Sequence, residues 1–128
     1  MPRLDAIGIV TADMAASCRF YRLLGVEVGE PTGPHHETTL PSGIRLMWDD
    51  VELARELDPG WVPPEGTRTA LAFLCTSPTE VDATYAAVLG AGFAGKREPW
   101  DAFWGQRYAQ VVDPDGNVVD LFAPLPSP

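Results

Sequence analysis

The sequence predicts an α+β fold made of two tandem copies of one strand–helix–three-strand unit. Three observations carry this reading. Ala6-Ile7-Gly8-Ile9-Val10 is echoed by Ala70-Leu71-Ala72-Phe73-Leu74. Each run precedes an amphipathic segment that carries a tyrosine, Tyr21 and then Tyr85, and ends at a glycine, Gly25 and then Gly90. Each half closes with a Pro-x-Gly turn and an apolar run: Pro41-Ser42-Gly43 before Ile44–Trp48, and Pro114-Asp115-Gly116 before Val118–Phe122.

Local chemistry supports each element in turn. Residues 4–11 are rich in Ile and Val and read as a strand. Asp13 is a good N-cap, and Met14, Cys18, Tyr21 and Leu24 follow at helical spacing. Gly25 suits the left-handed residue beyond a helix end. Asp50–Arg68 separates the halves. Its first part, Val51–Leu57, has the makings of a short helix, and the rest, with Pro59, Gly60, Pro63, Pro64 and Gly66, reads as an irregular linker. In the second half Ser77 can cap, Pro78 fits the first helical position and Glu80 completes a capping box. Val81, Tyr85 and Val88 form the apolar stripe, which Gly90 ends. The proline-rich tail Pro124–Pro128 is expected to fray. The organisation is therefore one domain over 1–128, with module one at 3–49, the linker at 50–68 and module two at 69–124.

Composition narrows the function. Nine basic residues against eighteen acidic ones leave a formal charge of −9, and the basic ones are scattered. A nucleic-acid partner would need Lys and Arg gathered on one face, so none is expected. The acidity reads either as solubility or as a field that draws cationic ligands. No apolar run approaches the ~18 residues of a membrane span, and the N-terminus lacks the pattern of a secretory leader. The expected location is the cytoplasm. Cys18 and Cys75 are too few for a disulfide framework or a thiolate metal site and read as buried free thiols.

Taken together, Ile7–Val10, Asp13-Met14, Phe20-Tyr21, Leu24-Gly25 and the closing run Asp113-Pro114-Asp115-Gly116-Asn117-Val118-Val119-Asp120-Leu121-Phe122 resemble the vicinal-oxygen-chelate superfamily of glyoxalases, bleomycin-resistance proteins and extradiol dioxygenases. The resemblance spans residues 3–124. It implies two βαβββ modules whose mixed sheet curls around a cleft, in a homodimer. In the metal-dependent enzymes of that superfamily, ligands open the first strand and close the last strand of each module. Here those positions fall on Ala6 and Ala70, on Met47 (or its neighbour Trp48), and on Asp120. Alanine has no donor atom, and a thioether is a poor ligand for hard divalent ions. No metal, no cofactor and no catalytic residue is therefore expected, and Asp120 reads as a hydrogen-bonded acid or a ligand contact.

Strand alternation describes the expected cleft. With Ala6 facing inward, so do Gly8 and Val10, and in module two Ala70, Ala72 and Leu74. The floor is then made of very small residues. Either a bulky ligand fills the space above it, or long side chains such as Met47 and Tyr108 do. The stretch Glu98–Tyr108 brings Trp100 and Trp104 into what reads as a polar connection. Tryptophan offers a flat stacking face and an orienting N–H. Trp100 reads as a structural plug or a cleft wall, Trp104 as a wall, and Trp61 as a lid or a packing anchor. Met47 is expected to face the cleft and Trp48 the core. His35, Glu37 and Asp120 offer one unorthodox metal set, and a surface loop is the simpler reading of His35-His36-Glu37.

The expected ligand-binding residues are Glu37, Met47, Trp100, Trp104, Tyr108, Gln110, Asp120 and Phe122, with Arg107 as a further orienting group. The function they imply is metal-independent sequestration of a bulky aromatic small molecule. The resistance branch of the superfamily points to an antitumour-type antibiotic of the bleomycin, mitomycin or enediyne kind, held to confer self-resistance. The alternative is a divergent metal-dependent lyase, isomerase or dioxygenase.

Overall fold

A computed structural model describes residues 1–127 of the 128-residue chain. The elements run β1 (Ala6–Thr11), α1 (Met14–Leu23), β2 (His35–Thr39), β3 (Arg45–Asp50), α2 (Val51–Leu57), β4 (Leu71–Leu74), α3 (Pro78–Gly90), β5 (Ala94–Ala102), β6 (Gln106–Val112) and β7 (Val118–Pro124). They form two compact units, Met1–Pro63 and the chain from Pro64 onward. The α+β class and the mixed sheets agree with expectation.

The first unit holds a three-stranded sheet in the order β1-β3-β2, with β1 parallel to β3 and β2 antiparallel to it. Asp13 caps α1 by accepting from the Ala16 N–H at 3.0 Å. Gly25 follows with φ +89°, a left-handed conformation that glycine adopts without a Cβ penalty. Phe20 and Tyr21 from α1 are fully buried, and Tyr21 meets Trp48 edge-on with ring centroids 5.9 Å apart. Ile9 and Trp48 are register partners on the same buried face. Burying side chains of this size contributes roughly 1.5–3 kcal/mol each. Asp50 caps α2 by accepting from the Leu53 N–H at 2.8 Å. Trp61 reaches back to this helix, with the Arg55 guanidinium 5.9 Å from its ring centroid.

One expected strand is missing from this unit. After α1 only two strands follow, and residues 26–34 stay irregular. Val26 and Val28 are buried like strand residues. However, Gly29, Pro31, Gly33 and Pro34 break the run, and each proline removes a ladder donor.

The second unit is a complete βαβββ with sheet order β4-β7-β6-β5, and α3 packs on β5, β6 and β7. Val81 and Val88 of α3 are fully buried, as are Ala109, Val111, Val119, Leu121 and Ala123 of the facing strands. Ser77 accepts from the Glu80 N–H at 3.2 Å. The Glu80 carboxylate reaches back one residue further than a capping box requires. It takes the Thr76 N–H and hydroxyl, each at 3.0 Å. Gly90 is still helical, and the left-handed residue is Gly92, at φ +92°.

The β6–β7 turn is organised by Asp113, which is 3% exposed. Its Oδ1 accepts from the backbone N–H groups of Asp115 and Asn117, and its Oδ2 from the Asn117 side-chain amide. These carboxylate bonds are structural, as the turn sequence implied. In the tail, Leu125 donates its N–H to the Gly105 carbonyl at 2.9 Å. Pro128, part of the tail expected to fray, lies outside the described residues. Both cysteines are buried free thiols, and burial pushes each thiol pKa up. Among the described residues no helix is long and apolar enough to cross a membrane.

Candidate functional site

The second unit's sheet has one face covered by α3 and one turned away from it. Alternation sends Val119, Leu121 and Ala123 of β7 to the helix side, and Asp120 and Phe122 to the other. On β6, Ala109 and Val111 face the helix, while Tyr108 and Gln110 face away. Register then places these residues in two rows across the sheet. Trp100 (β5), Tyr108 (β6), Phe122 (β7) and Leu74 (β4) make an aromatic and apolar row. Arg97, Gln110 and Asp120 make a parallel polar row, which ends at Ala72 on β4.

The aromatic row is a contact cluster. Tyr108 and Phe122 stack at 6.1 Å with planes 26° apart, and Trp100 meets Tyr108 at 5.5 Å. Trp104, from the β5–β6 turn, stands edge-on to both Tyr108 at 5.4 Å and Trp100 at 6.1 Å. Its indole N–H donates to Gln106 Oε1 at 2.8 Å, which fixes the plane of the ring. Trp104 is nevertheless 47% exposed, Leu74 67% and the adjoining Phe103 97%. Apolar surface gathered in one place in this way marks an interaction site more often than scattered exposure does.

In the polar row, Asp120 is held from two sides. The Tyr108 hydroxyl donates to Oδ2 at 2.7 Å and Gln110 Nε2 to Oδ1 at 3.1 Å. Burial, helped by the neighbouring carboxylate, pushes the Tyr108 phenol up to about 12. Tyr108 therefore stays a neutral donor near neutral pH, and its ring stays fixed on the platform.

The structure thus brings together six of the expected residues: Trp100, Trp104, Tyr108, Gln110, Asp120 and Phe122. Trp100 lies within strand β5, not in the connection expected around it. Pro99 and the charged run Lys96-Arg97-Glu98 mask the strand pattern there. An edge strand with bulges tolerates both. Arg107 faces the other way, with its guanidinium on Asp82 of α3 at 3.0 Å and on Asp101 at 3.1 Å, and so cannot orient a ligand on this face. Sequence reading also missed Arg97, whose position depends on the two register shifts in β5.

Met47 and Glu37 are register partners on the first unit's sheet, on the face opposite Leu46 and Trp48. Trp48 is fully buried against Tyr21, on the side opposite Met47. A Cβ on Gly8 would lie 3.8 Å from the Met47 methyl, so Met47 itself covers part of the small-residue floor. Glu37 is committed to neighbours, with Oε2 accepting from Arg45 at 2.6 Å and lying 3.3 Å from His35 Nε2. His35 Nδ1 is 2.5 Å from Asp49, and Arg45 also pairs with Asp5 at 2.9 Å. His36 points to the opposite face, beside Trp48.

The residues do not fit a divalent metal. Ala6 and Ala70 carry no donor, Met47 offers a thioether, and both oxygens of Asp120 are taken. Among the described residues no group of three or more His, Cys, Asp or Glu side chains is arranged to hold an ion. A shallow depression lined by residues 64–69 and Asn117 shares no residue with the aromatic face.

Comparison with known proteins agrees with this architecture. A sequence profile of the Glyoxalase/Bleomycin resistance protein/Dioxygenase superfamily matches residues 3–121. The chain belongs to that superfamily. A glyoxalase/bleomycin resistance protein/dioxygenase from Nocardioides is similar at 27% identity and TM-score 0.75, over 100% of this chain and 87% of its own. A glyoxalase-related enzyme from Fulvimarina pelagi matches at 24% identity and TM-score 0.82, over 96% and 88%. A family enzyme from Burkholderia phytofirmans PsJN matches at 20% and 0.84, over 97% and 100%. The last two speak for the fold alone. No curated protein gives a significant match.

Proposed function

We propose that this protein binds and sequesters a bulky aromatic small molecule without a metal. The observation that carries the proposal is the half-exposed row of Trp100, Tyr108, Phe122 and Leu74, walled at one end by Trp104. Rings of this kind stack on flat ligands, and the adjoining polar row supplies a few oriented groups, the usual composition of a small-molecule site. The ligand is proposed to be an antitumour-type antibiotic of the bleomycin, mitomycin or enediyne kind. The protein would act in the cytoplasm as a homodimer and confer self-resistance by holding the compound. Placing the chain in a superfamily with a bleomycin-resistance branch supports the ligand class by analogy.

The test is titration of intrinsic tryptophan fluorescence with bleomycin, mitomycin C, an anthracycline and an enediyne. Saturable quenching by at least one compound, recovered chemically unchanged, is the expected result. Fluorescence that stays flat across the panel removes the proposal. Elemental analysis of protein purified without chelators separates it from a metal enzyme. One tightly held ion per chain would contradict the donor chemistry at Ala6, Ala70 and Met47.

A further inference from the structure

The guanidinium of Arg97 lies 3.5 Å from the ring centroid of Trp100. At that distance it rests on the indole face, a cation–π contact that holds the side chain over the sheet. The other well-fixed arginines spend their donors within the protein. Arg22 donates to the carbonyls of Val28 and Gly29, Arg45 to Asp5 and Glu37, and Arg107 to Asp82 and Asp101. Among the described residues no hydrogen bond or ion pair engages the Arg97 side chain. Its charge and its planar fork of N–H donors therefore stand beside the aromatic row, oriented but unspent.

The geometry points to Arg97 as the group that selects an anionic ligand: a flat aromatic compound bearing a carboxylate or similar oxyanion at one end. This rests on the aromatic-face reading above, and within it favours an oxyanion-bearing aromatic ligand over a cationic one such as bleomycin or an anthracycline. Tyr108, Phe122 and Leu74 occupy three adjacent strands at ~4.8 Å spacing, a span of about 10 Å, enough for two or three fused rings. Arg97 sits on β5, at one end of the polar row, and Asp120 sits two strands away on β7 with both oxygens occupied. An oxyanion bound at Arg97 is thus roughly 10 Å from the Asp120 strand position. Its rings run over Tyr108 toward Phe122 and Leu74, beside the Arg97-covered Trp100. The overall charge of −9 does not oppose this. Charges more than about 8–10 Å away are screened by physiological salt, whereas a direct guanidinium contact is not.

Three probes with one ring system and different charges test the inference: 1-pyrenecarboxylate, 1-pyrenemethanol and 1-pyrenemethylammonium, titrated by fluorescence. The carboxylate should bind the wild-type protein about tenfold more tightly than the alcohol, the order expected of one charge-assisted contact at a partly exposed site. Arg97→Met keeps a long apolar stem over Trp100 and should remove that advantage while leaving the alcohol within about twofold. Arg97→Lys should restore part of it. If the ammonium binds as tightly as the carboxylate, or if Arg97→Met weakens all three probes alike, the inference falls and the aromatic platform stands. If none of the probes binds, the platform reading itself falls, and this inference with it.

Discussion

The Tyr108 hydroxyl donates to Asp120 across adjacent strands at 2.7 Å, and Gln110 holds the other oxygen of the same carboxylate. This three-residue bridge joins the aromatic row of the second sheet to its polar row. It fixes the central ring of the platform by a bond that is partly withdrawn from water.

The bridge predicts an alkaline signature. Desolvation, with Asp120 beside it, pushes Tyr108 up to about 12. The folded chain therefore holds this proton when the unfolded chain, titrating near 10, has already lost it. The contribution to stability is fully present below pH ~10 and is lost as pH rises toward about 12. Tyrosinate absorbance should show a late-titrating phenol that is lost in Tyr108→Phe. Asp120→Asn removes the neighbouring negative charge and should move that titration to lower pH. An unchanged titration in Asp120→Asn would break the assignment.

On the first unit's sheet, His35 lies between two carboxylates, with Nδ1 on Asp49 and Nε2 near Glu37. A neutral imidazole has only one N–H, whereas the imidazolium donates to both. The hydrogen bond to Asp49, then that to Glu37, raises the His35 pKa above its ordinary value. Stability from this cluster is fully present below pH ~6.5 and is lost as pH rises through the folded pKa. The stabilisation is small, because the side chain is 41% exposed and solvent screens the pair. Histidine NMR titration should show His35 above the ordinary range and a clear fall in Asp49→Asn. A His35 titrating at the ordinary value in the wild type would contradict this geometry.

Sequence reading went furthest where local chemistry decides. Asp13 and Ser77 cap the helices that follow them, and Val51–Leu57 is helical as expected, with a cap at Asp50 that the sequence reading did not name. The period-two rule put Met47 on one face and Trp48 in the core. It also put Asp120 and Phe122 on a common face, while Trp100 and Trp104 were picked out by composition alone. The rule failed in β5, where register shifts between Gly95 and Arg97 and between Arg97 and Trp100 break the alternation. Arg97 therefore could not be placed. The orienting role expected of Arg107 fails because its partner, Asp82, lies 25 residues away on α3, a pairing that no local pattern shows. The absent third strand of the first unit reflects proline and glycine outweighing two buried valines.

The β6–β7 turn predicts a large effect from one acid. Asp113 is buried and accepts three hydrogen bonds from Asp115 and Asn117. Asp113→Ala leaves turn donors without their carboxylate and should destabilise the fold by about 2–3 kcal/mol, read from urea unfolding. Asp113→Asn keeps one acceptor oxygen and should lose roughly half as much. A loss within ~0.5 kcal/mol for Asp113→Ala, the range of ordinary surface substitutions, would show that the turn is set by Pro114 and Gly116 alone.

Gly95 makes the last case, because its backbone lies under the ring of Tyr85. A Cβ there would stand 2.9 Å from Tyr85 Cζ and 3.0 Å from Leu89 Cδ1, closer still to the phenol oxygen, all on helix α3. Real Cβ atoms do not approach a stiff aromatic ring so closely, so Gly95→Ala must displace Tyr85 or lift β5 from the helix. The expected loss is about 1–3 kcal/mol, typical of overpacking, despite alanine's better intrinsic fit to a strand. The double substitution Gly95→Ala with Tyr85→Ala frees the space. The glycine change should then cost about 0.5 kcal/mol or less when measured on the Tyr85→Ala background, a coupling of the size seen for residues in contact. If the two substitutions add without coupling, Tyr85 is not what requires a glycine at this position, and the reason would lie in the bulged backbone that begins there.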